Sequence, residues 1–283
     1  MSEWWTYRLS DFLMFSSRSY WRLIELTNRD AWPAHLLAIL AGLVMMACIA
    51  RPGKYLTRHM RIRASARQSD RPSRSFPRLH GNDRHMLRDV REKADDAGRS
   101  SQTAPGANAR RIVLLLLGAG WAWVGWAYHL QRYADINTAG PSFAAAFAVQ
   151  ALLLWSMAFV SGAPTAAPLH RWAGLGIAGL AVLAYPLLAL AGGRGWSQVE
   201  VAGLVPDPTV VATLGALLAL RARWFAWLIP VAWCAVSGAT LMELHIGHAW
   251  LLPVFAVICG AIHLTDRRRH HLTAIAPEDH GPA

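Results

Sequence analysis

Residues 121–137 read WAWVGWAYHLQRYADIN. The stretch opens as an apolar, tryptophan-rich helix and ends with His129, Arg132 and Tyr133 where such a helix would leave lipid. Trp126, His129 and Tyr133 fall at i, i+3 and i+7, so they share one helix face. Working back, residues 112–130 carry no Asp, Glu, Lys or Arg. At helical rise they are long enough to cross a hydrocarbon core of about 30 Å. A membrane helix ending in polar residues is therefore the element from which the fold is read.

The whole chain agrees with that start. Of its 283 residues 54% are hydrophobic and only 16% charged, against about 25% in a soluble domain. The formal charge is +11, which in a soluble protein would point to nucleic acid. Here the excess lies in residues 51–111, with 16 Lys/Arg and 6 Asp/Glu, and in short loops beside apolar runs. That placement belongs to membrane orientation. The basic residues are not interleaved with stacking aromatics, so specific nucleic-acid binding is not expected. The partner that the composition calls for is the lipid bilayer; protein partners stay unknown. Cys48, Cys234 and Cys259 each sit in an apolar run without CxxC spacing and read as buried thiols. The N-terminal SEWWTYRLSD has no basic stretch followed by an apolar core, so the first span is expected to serve as its own insertion signal.

The expected fold is all-α: an integral membrane helical bundle of about seven transmembrane helices, N-terminus outside and C-terminus inside. Residues 1–30 read as interfacial amphipathic helices. Trp5, Leu9, Phe12 and Leu13 form one stripe, and Tyr20, Leu23, Ile24 and Thr27 a second, with Arg18, Arg22, Glu25 and Arg29 opposite. Residues 31–50 form span 1, which Asp30 can cap. Residues 51–111 are expected to be a basic, disordered cytoplasmic loop with a short helix near 83–93. Residues 112–265 hold spans 2–7, and 266–283 form a cytoplasmic tail. In span 4, Gly174, Gly176 and Gly179 thin one side for close packing, and Pro186 kinks the helix. Span 5 is the odd one: residues 209–220 are too short to cross alone. Pro206, Asp207 and Pro208 predict a broken helix starting at Asp207. If every span crosses, one side receives 22 Lys/Arg and the other 6, the asymmetry of the positive-inside rule.

On this topology one face of the bundle gathers a polar cluster: His129, Arg132, Tyr133, Asn137, Glu200, Asp207, Glu243, His245 and His248. Three chemistries compete with a purely structural reading, in which the polar residues cap helices and pair across loops. Glu243, His245 and His248 offer carboxylate and imidazole to a metal, but ExHxxH matches no standard zinc spacing. Catalysis lacks a GxSxG, HExxH, paired-aspartate or nucleotide-loop motif, so the expectation leans away from an enzyme, and no cofactor is indicated. Passage of an ion or small solute suits intramembrane ionisable residues and a broken helix. In that setting Arg132 is expected to pair with Glu200 or Asp207, and Arg194 to be exposed. The alternative from another class is a non-enzymatic scaffold or accessory subunit with a dry interior.

The segments SEWWTYRLSDFLMFSSRSYWRLIEL, WVGWAYHLQRYADIN, GRGWSQVEVAGLVPDPTVVATLG and IPVAWCAVSGATL resemble a family of bacterial multi-pass membrane proteins of unknown function, domain-of-unknown-function family 6064, some of whose members carry a permease label. The resemblance covers most of the chain outside residues 51–111, which look like an insertion relative to it. It implies a protein of the bacterial cytoplasmic (inner) membrane. It supplies no substrate, cofactor or catalytic residue.

Overall fold

The computed structural model describes residues 15–51, 106–160 and 168–275; the first interfacial stripe, most of the basic loop and the end of the tail lie outside them. Within them the chain forms helices and turns with no strand. Helix α1 (Ser17–Ala31) is followed by α2 (Ala34–Ala50), bent from it by 91°. Helix α3 (Ala107–Trp123) continues as a wider π-helical segment, Val124–Leu130. Then come α4 (Gly140–Phe159), α5 (Pro168–Gly179) with a π-helical extension to Ala184, the short α6 (Leu187–Ala191), α7 (Pro206–Ala219), α8 (Leu228–Glu243) and α9 (Leu251–Ile275).

Among the described residues three helices are long and apolar enough to cross a membrane: Ala107–Asp135, Gly140–Phe159 and Trp224–Glu243. A fourth is reached if α1 and α2 count as one bent span. Seven spans were expected, and the difference has a physical cause. Apolar content is spread over seven stretches, but two of them are interrupted and a third is short. The stretch 169–184 is stopped by the break at Tyr185–Pro186, and α7 is confined between Pro206 and the turn at Arg221. Fourteen residues of α7 rise about 21 Å, short of a core of about 30 Å. The apolar part of α9, Leu251–Thr265, is likewise short, and the helix runs on to Ile275, into the segment expected to be a tail. Leu37, Leu152 and Val257 are 69%, 62% and 71% exposed. Such residues on outer faces, together with three helices of this length, suggest a membrane protein.

Helix α7 is the axis of the bundle. All fourteen of its residues are buried, and α3, α5, α8 and α9 pack around it. Its two threonines are satisfied locally, as a low-dielectric setting demands. Thr209 accepts from the Gly203 N–H at 2.7 Å, and Thr213 accepts from the Trp121 indole at 2.8 Å. The contact with α5 is backbone to backbone: a Cβ on Gly215 would stand 2.6 Å from the Gly174 carbonyl and the Ala178 nitrogen. Lipid tails remove the hydrophobic drive between helices, so this close approach supplies the packing. Of the other glycines expected to thin this side, Gly176 faces open space and Gly179 meets only the end of the Met46 side chain.

The arginines at the end of the bundle where α2 and α4 stop cap helix carbonyls. Arg110 donates to Met157 O at 2.7 Å, Arg111 to Ala158 O at 3.3 Å, and Arg171 to Ile49 O at 2.9 Å. Each supplies a donor where the last carbonyls of a helix have none. At the opposite end α1 closes the bundle. Tyr20, Leu23, Ile24 and Thr27 are its buried face, as the stripe predicts, but that face packs on protein rather than on lipid. Asp30 belongs to α1 and does not cap α2.

Candidate functional site: a buried carboxylate pair under helix α1

The closed end is built around the start of α7. Val205 stands before the helix, Pro206 takes the first helical position, where no N–H is needed, and Asp207 the second. Asp207 is 1% exposed. One carboxylate oxygen accepts from the Trp233 indole at 2.9 Å and the Ser237 hydroxyl at 2.7 Å, one turn apart on α8. The other oxygen has no partner among the described residues. The free N–H groups of the first helical turn favour an anion there.

Glu200, 2% exposed, lies in the loop entering α7. It accepts from both terminal nitrogens of Arg194, at 3.3 and 3.4 Å. The Arg194 guanidinium sits 3.5 Å from the centre of the Trp21 ring. His248 Nε2 is 4.0 Å from the same Glu200 oxygen. Burial first, then the Asp207 charge, push the Glu200 carboxyl up to about 8, against the opposing pull of Arg194. Burial, helped by Arg194, pushes His248 down to about 4. At neutral pH the imidazole is therefore uncharged, and the His248–Glu200 approach is not an ion pair.

The phenols of Tyr20, Tyr128, Tyr133 and Tyr185 all lie within the field of Asp207. His129 is fully buried on the π-helical segment of α3, a kind of helical widening common at functional sites. Its ring lies 4.5 Å from Phe147 and 4.9 Å from Trp233, and neither nitrogen has a partner among the described residues. An outer cleft of about 250 Å³ is lined by Trp21, Arg194, His245 and His248. Deeper in, Tyr20, Tyr128, Tyr133, Trp233 and Ser237 surround a void of only about 10 Å³.

The structure thus brings together five of the residues singled out in the sequence: His129, Tyr133, Glu200, Asp207 and His248. The other four go elsewhere. Arg132 pairs with Asp30 on the rim, where both side chains are partly exposed, and not with Glu200 or Asp207. Arg194, expected to be exposed, is the buried cation that pairs with Glu200. Asn137 donates to the Tyr133 hydroxyl at 3.1 Å and accepts from Ala139 N at 2.9 Å, so it shapes the turn into α4. Glu243 is exposed. His245 closes α8 with a left-handed φ of 56° and stays on the rim of the outer cleft. Among the described residues no three His, Cys, Asp or Glu side chains are disposed to hold a metal, so Glu243, His245 and His248 do not form the metal group their sequence proximity offers.

Tyr20, Tyr128, Tyr185, Trp233, Ser237 and Arg194 were not placed in the polar cluster by the sequence. Ser237 was the legible one: a hydroxyl four residues after Trp233, on the same face of a mostly apolar helix.

No curated protein and no solved structure matches this chain. Residues 101–274 match a family of unknown function (DUF6064). The match holds Glu200, Asp207, Arg194, His129, Trp233, Ser237 and His248, while α1 and α2 precede it. The N-terminal part of the resemblance therefore lies outside the matched segment. With well over half of its length matched, the chain belongs to the DUF6064 family.

Proposed function

We propose that this protein is a permease-like protein of the bacterial cytoplasmic membrane, with a closed site for a small cation at its outer end. One observation carries the reading: Glu200 and Asp207 are both buried at the mouth of an enclosed helix too short to cross, and of the two only Glu200 has a cation partner among the described residues, Arg194. Isolated buried charge is costly in a membrane protein, and intramembrane carboxylates and broken helices mark ion and substrate pathways. Asp207 keeps an acceptor oxygen to spare. The surrounding Tyr and Trp faces suit an ammonium-type cation, which rings attract through their negative faces. A proton on Glu200 is the smallest such cargo. The outer end is read from residues 51–111 alone: this segment follows α2 and holds 16 Lys/Arg against 6 Asp/Glu, which favours the inner side for it and the outer side for the opposite, α1 end.

The test is uptake of labelled methylammonium into proteoliposomes under an inside-negative potential. Uptake above protein-free vesicles is expected, with loss in Asp207→Asn and in Glu200→Gln while both variants stay monodisperse. Equal uptake by Asp207→Asn overturns the reading. One observation favours a scaffold or accessory subunit instead: the inner void is about 10 Å³, so the end is dry as it stands. That reading expects no uptake by the wild type under any gradient. Side is tested separately with an impermeant thiol reagent on a cysteine-free background. Thr138→Cys should label from outside and Arg223→Cys from inside; the reverse overturns the orientation.

A further inference from the structure

The elbow between α1 and α2 forms a second cleft, of about 560 Å³, separate in chemistry from the carboxylate pair. This lies within the range of about 300–1,000 Å³ for clefts that hold ligands. Its rim is basic: Arg22 and Arg29 stand one above the other on α1, two turns apart. Its floor is apolar. Leu36 and Ile39 of α2 are 61% and 38% exposed along it, and Val201 faces them from the loop before α7.

The cleft is held in shape. The Asn28 amide donates to Ser197 O at 2.9 Å and to Val199 O at 2.7 Å, which fastens the far wall to α1. Asn28 also meets His35 Nε2 at 3.2 Å, and the other nitrogen of His35 has no partner among the described residues. Trp32 and Trp196 flank the opening, 66% and 72% exposed. Tryptophans prefer the headgroup level of a bilayer, so they fix the depth of the rim. The 91° bend then lays α1 along the interface and sends α2 down beside the acyl chains. Of the charges on the rim, Glu25 is held by Arg22 at 2.6 Å, while Arg29 has no partner among the described residues. One uncompensated positive charge remains above an apolar slot.

We propose that this elbow is a binding site for one anionic phospholipid: the phosphodiester at Arg29 and Arg22, the glycerol region beside Asn28 and His35, and one acyl chain along Leu36 and Ile39. Charge complementarity selects the headgroup, and the apolar floor selects a lipid over a free anion. The site does not depend on what the carboxylate pair carries.

The experiment is native mass spectrometry and thermal denaturation of the full, delipidated protein in detergent. Phosphatidylglycerol, phosphatidylcholine with the same chains, and inorganic phosphate are added separately. Phosphatidylglycerol is expected to leave a one-to-one adduct and raise the melting temperature, and the other two to do neither. The double variant Arg22→Gln/Arg29→Gln should lose on the order of tenfold in phosphatidylglycerol affinity, from two basic contacts near a lipid surface. Ile39→Trp should also lose the adduct by filling the slot with both arginines intact. Arg18→Gln, on the same helix but outside the cleft, should keep it. Equal retention of phosphatidylcholine, displacement by phosphate alone, or an undiminished adduct in both cleft variants overturns the proposal.

Discussion

Replacing Arg194 by Ala separates the structure most sharply from what the sequence leads one to expect. The Arg194 side chain is 10% exposed and Glu200 2%, whereas Arg132 and Asp30 are 36% and 54% exposed. Removing one partner of a buried pair costs about 3–5 kcal/mol. Two features lower that figure here: the hydrogen bonds are long, at 3.3 and 3.4 Å, and Glu200 can take up a proton instead. One feature raises it: the guanidinium also leaves the Trp21 ring, a contact worth about 1 kcal/mol. The net loss is on the order of 3 kcal/mol. For a chain of this size that is a fall in melting temperature of about 5–10 °C. Arg132→Ala breaks a solvent-screened pair and should cost at most about 1 kcal/mol. The assay is thermal denaturation in detergent, followed by tryptophan fluorescence. Above pH 8, where Glu200 ionises, the double variant Arg194→Ala/Glu200→Gln should recover much of the loss, because the uncompensated carboxylate is gone. The reasoning fails if Arg132→Ala is the more damaging change, or if Glu200→Gln gives no rescue.

Three further outcomes follow from the same geometry. The Glu200 carboxyl is raised to about 8 from an ordinary 4.5, so between those values the folded protein holds a proton that the unfolded chain has lost. Stability should therefore fall as pH rises from about 5 to about 8. Melting curves of Glu200→Gln should lack that component, and an unchanged slope would remove Glu200 as its source. Gly215→Ala drives a Cβ into backbone 2.6 Å away and should abolish a monodisperse peak in size-exclusion chromatography, while Gly176→Ala, which meets nothing, should be neutral or gain about 0.5–1 kcal/mol. His245→Gly relieves a left-handed residue at φ 56° and should raise the melting temperature by the equivalent of about 1 kcal/mol; a fall would mean that His245 makes an interaction worth more than its strain.

Local rules carried much of the fold. The stripe Tyr20, Leu23, Ile24 and Thr27 is the face that α1 buries, because a helix has one period whatever it packs against. The run Pro206–Asp207–Pro208 opens α7, because proline fits a first turn and nowhere later. The number of crossings was not legible in the same way. Pro186 and Pro206 mark the interruptions, but apolar composition does not say that α7 is wrapped by other helices instead of lipid. Charge pairing at the closed end escaped for a different reason. Arg132 and Arg194 both stand near acidic residues at one depth, and sequence spacing cannot rank them. The choice is made by α1, which brings Asp30 to Arg132 and Trp21 over Arg194. Tyr128, Tyr185 and Trp233 were hidden among other aromatics, since a core tyrosine and an interface tyrosine look alike until their neighbours are known.

Glu200 is a buried carboxyl beside Asp207, and burial holds its proton well above the usual carboxylate range. Infrared difference spectroscopy of the membrane-reconstituted protein, stepped through pH, reads this directly from the carboxylic-acid C=O band. A band that is absent in Glu200→Gln and titrates near pH 8 in the wild type is the predicted result. A Glu200 band that titrates with the ordinary carboxylates near 4.5, or a wild-type spectrum that Glu200→Gln leaves unchanged, would contradict it.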